Sequence, residues 1–196
     1  MSKLVYCIRH GLSQHNTNYL KYGVSTFYDP NFTDTELLPE GLQQATVLRE
    51  SWSELKNIEL VIVSPLKRTL ATAREIFKDI DVPMIALDVV REYPLGLQTC
   101  NKRSAKEYLM KEYPKVNFDS LQTNYDELWY PEREETIEEL DARILKFKDF
   151  LDTRSETKIA FVNHSSFIGK MKDNEIKYLE NGQEELKHCF PYLLKL

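Results

Sequence analysis

The sequence predicts an α/β fold, a three-layer α/β/α sandwich with a mostly parallel central sheet and a lid insertion, on three observations. Four short runs are continuously apolar: Lys3 to Ile8, Glu59 to Val63, Met84 to Leu87 and Lys158 to Val162. Such runs suit strands covered on both faces, as in a parallel sheet. Amphipathic helical patterns lie between them, and strand–helix alternation builds a sheet with helices on both sides. With 196 residues, 42% of them hydrophobic and 29% charged, the chain is expected to form one ordered domain over 1–196 with a full core.

The elements follow in order. After the first run, Pro39 and Glu40 open a helix with Leu42, Ala45, Leu48 and Trp52 on one face. After the second, Ser64 and Pro65 stand at the N-cap and first helical positions before Leu66, Leu70, Ala73 and Phe77. Thr136 and Glu139 form a capping box ahead of Ile137, Leu140, Ile144, Phe147 and Leu151. The stretch Gly96 to Arg133 holds one short helical candidate, where Ser104 and Glu107 form a second box. Stretches this long without regular structure are often functional, and Tyr113, Phe118, Tyr125, Trp129 and Tyr130 point to a packed lid rather than disorder. Lys170 to Glu185 is charged and expected at the surface, and Phe190 to Leu196 is expected to be a final edge strand.

Composition excludes several classes of function. The six glycines lie too far apart for G-x-G-x-x-G or the P-loop, which removes those nucleotide-binding devices. A net charge of −5 and the lack of a basic run argue against nucleic acid as a partner. No apolar run approaches a membrane span, and neither anchor nor signal peptide is expected. Three scattered cysteines, Cys7, Cys100 and Cys189, fit a reduced, cytoplasmic compartment better than a disulfide framework or zinc site.

The first strand runs into Arg9-His10-Gly11-Leu12-Ser13-Gln14-His15-Asn16, a dense set of nucleophilic and phosphate-binding groups at a strand-to-helix turn. In open parallel sheets, ligands sit beyond the carboxyl ends of the strands. The same edge should receive Ser64 to Arg68, Asp88 to Glu92 and Asn163-His164-Ser165. Two imidazoles, two guanidiniums and a carboxylate would then converge. An imidazole can attack phosphorus, guanidiniums can hold the equatorial oxygens, and a carboxylic acid can protonate the leaving alkoxide. The arginines and the second imidazole supply the charge stabilisation, so no metal and no cofactor is implied.

These residues resemble the histidine phosphatase superfamily, also called the phosphoglycerate mutase-like family. Arg9-His10-Gly11-x-Ser13-x-x-Asn16 fits its R-H-G-x-[ST]-x-x-N signature, a match expected by chance about once in 10⁴ chains of this length. Leu37-x-x-x-Gly41-x-x-Gln44-Ala45, Ser64-Pro65-Leu66-x-Arg68-x-x-x-Thr72-Ala73 and Val162-Asn163-His164 resemble its later motifs, in order. By that resemblance His10 would become phosphohistidine, while Arg9, Arg68 and His164 would form the phosphate pocket, which Asn16 would join. Glu92 would be the general acid and then the base.

The resemblance implies a phosphatase acting on a small phosphorylated substrate. The alternatives are a phosphoglycerate mutase-like phosphoryl transferase and a binding module for phosphorylated ligands that has lost catalysis. Where the glycolytic mutases usually carry Glu or Gln, this chain has Leu12, and in place of an Arg after the acid it has Tyr93. Both differences count against a mutase. His15 and His188 fit no motif and are expected at structural or rim positions. Lys102, Arg103 and Arg133 are candidates for further substrate anions or for a solvated face, and Trp129 and Tyr130 for lid packing. Neither the substrate nor the oligomeric state is legible in the sequence.

Overall fold

The computed structural model describes residues 2–176 and 186–196. The strands are β1 (Leu4–Arg9), β2 (Leu60–Val63), β3 (Met84–Ala86), β4 (Val116–Asn117), β5 (Lys158–Asn163) and β6 (Pro191–Lys195). They form one sheet in the order β4-β3-β2-β5-β1-β6. All neighbours run parallel except β6, which pairs antiparallel to β1 at the edge, with Tyr6 opposite Leu193.

Among the described residues six α-helices accompany the sheet: α1 (Gln14–Tyr22), α2 (Pro39–Ser51), α3 (Lys67–Ile76), α4 (Lys106–Glu112), α5 (Ile137–Asp152) and α6 (Ser165–Asp173). Because successive strand residues point to opposite faces, each apolar strand feeds two cores. Tyr6, Ile8, Val61, Val63, Ala160 and Val162 pack with Leu48 of α2, Leu70 and Ile76 of α3 and Leu109 of α4. Val5, Cys7, Leu60, Ile62, Ile159 and Phe161 pack on the other side with Ile144 and Phe147 of α5 and Phe167 of α6. This is the expected three-layer α/β/α arrangement. The four expected strands are all present, as is the expected edge strand.

Four details differ from the sequence-based expectations. Helix α3 begins two residues later than expected, with Leu66 rather than Ser64 at the N-cap, and the Ser64 hydroxyl is engaged by a histidine described below. On α2 the buried face is Gly41, Ala45 and Leu48, whereas Leu42 is 39% exposed. Ser104 and Glu107 form no box; the N-cap of α4 is Ala105, and the Ser104 N–H donates to Asp34 Oδ2. The charged stretch from Lys170 begins inside α6, and residues 177–185 lie outside the described part of the chain. The box at Thr136 and Glu139 is present, closing the start of α5.

Between β3 and α5, residues 96–133 contribute a short turn at Thr99–Asn101, α4, and strand β4 at the end of the sheet. Tyr113 and Phe118 are buried, while Tyr125 and Tyr130 are exposed. Among the described residues no helix is long and apolar enough to cross a membrane.

Candidate active site

Three adjacent strands, β2, β5 and β1, end on the same edge and deliver Ser64, Asn163-His164 and Arg9-His10. This is the carboxyl edge, where open parallel sheets bind ligands. Arg9, His10, Arg68 and His164 are each no more than 3% exposed.

The turn after β1 has every main-chain group from His10 to Leu12 engaged. His10 N donates to Asn163 O (2.9 Å), Gly11 N to Thr72 Oγ1 (3.0 Å) and Leu12 N to Gln44 Oε1 (2.9 Å). Leu12 O accepts from Leu38 N, Gly11 O from His10 Nδ1, and His10 O from His188 Nδ1. Buried backbone groups need such partners, and here side chains of α2 and α3 supply two of them. The turn also presses on the start of α2: a Cβ on Gly11 would lie 2.4 Å from Gly41 O, and one on Gly41 would lie 2.1 Å from Leu12 O. Glycine is needed at both positions for that approach.

A carbonyl oxygen only accepts, so the 2.7 Å contact between His10 Nδ1 and Gly11 O fixes the proton on Nδ1. Nε2 then carries the lone pair. Burial first, then the neighbouring Arg68, with Arg9 adding to it, holds the His10 pKa well below 6.5, so the ring stays neutral. The rings of His164, His188 and His15 lie 5.2, 5.6 and 5.9 Å from that of His10, which gathers all four histidines of the chain in one place.

Arg68 is oriented by its own partners: Nη1 donates to Cys100 O (2.7 Å) and Nη2 to Asn101 Oδ1 (3.0 Å), while Asn101 Nδ2 donates to Pro94 O (2.9 Å). Arg9 Nη1 donates to Leu186 O (2.8 Å). His164 Nε2 meets Ser64 Oγ at 2.8 Å, and its Nδ1 is buried without a hydrogen-bond partner. Burial, then Arg68, depress its pKa well below 6.5.

Glu92 is half-buried, and its Oε1 accepts from Tyr93 N (2.8 Å). Burial raises its pKa above 4.5, against the opposing pull of the Tyr93 N–H and of Arg68 and Arg9. The nearby Asp88 is occupied by Arg103 at 3.1 Å and Arg91 at 3.4 Å.

Asn16 turns its side chain back on the start of α1. Its Oδ1 accepts from Ser13 N and Oγ, and its Nδ2 reaches His15 Nε2. His15 is buried, with Nδ1 against Ser13 Oγ and Thr35 Oγ1, a structural setting as expected. His188, also expected to be structural or at a rim, is half-buried and contacts the main chain of the first motif.

Of the three further cations, Arg103 donates to Asp88 and to four loop carbonyls, Arg133 is paired with Glu139 at 2.7 Å, and Lys102 stands over the Trp129 ring at 4.5 Å. Cys100 is a buried thiol pushed up to about 12 by burial, the opposite of a reactive one. Asn101, Thr72, Gln44 and Ser64 carry positioning contacts that side-chain type alone did not reveal.

A neutral, tautomerically fixed imidazole flanked by two guanidiniums and a second imidazole, with a protonatable carboxyl beside them, is equipped for covalent phosphoryl transfer. Comparison with known proteins agrees. The profile of the histidine phosphatase superfamily, branch 1, matches residues 5–171. The chain is 34% identical to phosphoglycerate mutase-like protein 1 of Arabidopsis thaliana, over 85% of this chain and 69% of that one. It is 32% identical to a probable phosphoglycerate mutase of Arthroderma benhamiae, over 89% of this chain and 58% of the other. In three dimensions it resembles the ecdysone phosphate phosphatase of the silkworm Bombyx mori, solved with tungstate, at a TM-score of 0.60 and 17% identity, covering 98% and 88% of the two chains. That likeness is one of fold.

Proposed function

The chain belongs to branch 1 of the histidine phosphatase superfamily, and we propose that it is a metal-independent phosphatase hydrolysing small phosphomonoesters through a phosphohistidine at His10. The observation that carries this is the His10 Nδ1 contact with Gly11 O, which leaves Nε2 as the nucleophile of a buried, neutral ring. In the first step Nε2 attacks phosphorus, the P–O bond to the leaving alkoxide breaks, and Glu92 gives that oxygen its proton. In the second, Glu92 takes a proton from water as its oxygen attacks phosphorus, and His10 is released. Arg9, Arg68 and His164 hold the phosphoryl oxygens, with Asn16 supporting the turn. Residues 96–133 act as the lid of a single domain, and a substrate enters past them. The buried, separate thiols suit a cytoplasmic setting.

The two relatives described above carry mutase or mutase-like names, and the chain spans only 58% of one of them, whereas others are named probable phosphatases. Hydrolysis is favoured by the second cations: Arg103 and Arg133 are already neutralised by Asp88 and Glu139. A substrate with one phosphate and no second anion fits such a rim better than a phosphoglycerate.

Quenched turnover should yield an acid-labile adduct mapping to His10, with free phosphate and no isomerised product. His10→Ala should abolish it while the fold persists. An adduct on His164, or an acid-stable one, would overturn the assignment, and isomerised product without phosphate would make the protein a mutase.

A further inference from the structure

Building on that function, we propose that His188 is a positioning residue of the catalytic site, holding the His10–Gly11 peptide in the orientation that the nucleophile needs. His188 Nδ1 lies 2.5 Å from His10 O, and since a carbonyl only accepts, the imidazole donates. Six main-chain groups fix the turn from His10 to Leu12. The partners of five of them, Asn163, Thr72, Gln44, Leu38 and His10 itself, all lie within the family-matched span of 5–171. His188 is the sixth partner and lies beyond that span.

The peptide that His188 holds is a sensitive one. Its N–H, on Gly11, donates to Thr72, and the next carbonyl, Gly11 O, accepts the His10 Nδ1 proton. Rotation of that peptide disturbs both the ring's partner and its aim, and misplacements near 1 Å cost catalysis on the order of 10²-fold. The segment has anchors of its own that do not use the imidazole: Cys189 N donates to Arg9 O (2.9 Å), and Leu186 O accepts from Arg9 Nη1 (2.8 Å). Removing the ring therefore probes peptide orientation with the segment still docked.

Two variants separate the roles. The amide of asparagine can place an N–H close to where Nδ1 stands, whereas leucine cannot donate. With p-nitrophenyl phosphate, His188→Leu should lower kcat about tenfold with little change in KM, as expected for a contact that acts through the nucleophile. His188→Asn should recover kcat to within about threefold of wild type, and the two variants should share one melting temperature. Equal losses in both variants, or a loss in neither, would overturn the proposal. A second readout needs no turnover: the His10 Nδ1–H resonance in the ¹⁵N-labelled protein. It should move in His188→Leu and return in His188→Asn, and an unmoved resonance in the leucine variant would refute positioning. Were the wild type to hydrolyse nothing, the phosphatase function would fall while this resonance still decided the role of His188.

Discussion

Arg68 donates from Nη2 to Asn101 Oδ1 at 3.0 Å, so one guanidinium of the proposed phosphate pocket takes its orientation from the region between β3 and α5. Asn101 is itself fixed by Pro94 O and is 1% exposed. A buried hydrogen bond to a charged group contributes roughly 1.5–3 kcal/mol. Asn101→Ala should therefore lower kcat/KM by about tenfold, with a smaller loss than Arg68→Ala, for which about 10²- to 10³-fold is expected from one preorganised donor. Steady-state kinetics of the two variants would check this. An Asn101→Ala enzyme with wild-type kcat/KM would show that the orientation of Arg68 is set elsewhere.

The close approach of Gly41 to Leu12 links α2 to the turn that carries His10. A Cβ on Gly41 meets a main-chain oxygen at 2.1 Å, not the flexible end of a side chain. Gly41→Ala should cost about 1–3 kcal/mol of stability and lower kcat, because relief of the clash moves the turn that carries His10. Thermal unfolding and kinetics together test it; a variant unchanged in both would mean that the turn yields freely.

The strands and the signature were legible in the sequence because apolar runs and a turn motif are local patterns. The positioning contacts were not. Ser64 looks like a helix cap, and only the approach of His164 from β5, 100 residues away, makes it a histidine partner instead. Leu42 fits a helical stripe with Ala45, yet the turn at Leu12 draws Gly41 inward and leaves Leu42 outside. Asn101 is one polar residue in a long, largely irregular stretch, and His188 meets His10 across 178 residues. The two-residue β4 is too short to carry any periodicity.

Acid should destabilise the protein from about neutral downward. His10, His15 and His164 are held well below 6.5 by burial first and by neighbouring cations, Arg68 foremost, second. Their neutral forms are native, so the stability they allow is complete above 6.5 and is lost as pH falls and the unfolded chain takes up protons that the native state refuses. Each such proton contributes about 1.4 kcal/mol per pH unit. Glu92 and Asp34 act with the opposite sign, since their raised pKa values let the native state bind a proton first, but they are two groups against three, and carboxyls whose ordinary range lies lower. Urea midpoints at pH 7.5, 6.5 and 5.5 should fall in that order, and a flat profile would contradict neutral burial of the histidines.

Glu92 gives the sharpest test of the mechanism. Burial raises its carboxyl above 4.5 despite the Tyr93 N–H and the two arginines, which favours the protonated form that an alkoxide leaving group requires. Asp88 is engaged by Arg103 and Arg91 and is the weaker alternative. Glu92→Gln keeps size and polarity but cannot transfer the proton. Phosphorylation by alkyl phosphates should then slow by about 10²-fold or more, while p-nitrophenyl phosphate, whose phenolate leaves unaided, should react at nearly the wild-type rate. In the wild type the alkyl rate should decline as pH rises through the raised carboxyl pKa, and the glutamine variant should lose that limb. In the proposed mechanism the same carboxylate activates water in the second step, so the variant should show a burst of p-nitrophenolate followed by slow turnover as phosphohistidine accumulates. Rapid-quench measurements of both substrates decide it: equal slowing of the two, or of neither, would remove Glu92 from the acid's role and direct attention to Glu134, which now accepts from Tyr28 Oη at 2.8 Å.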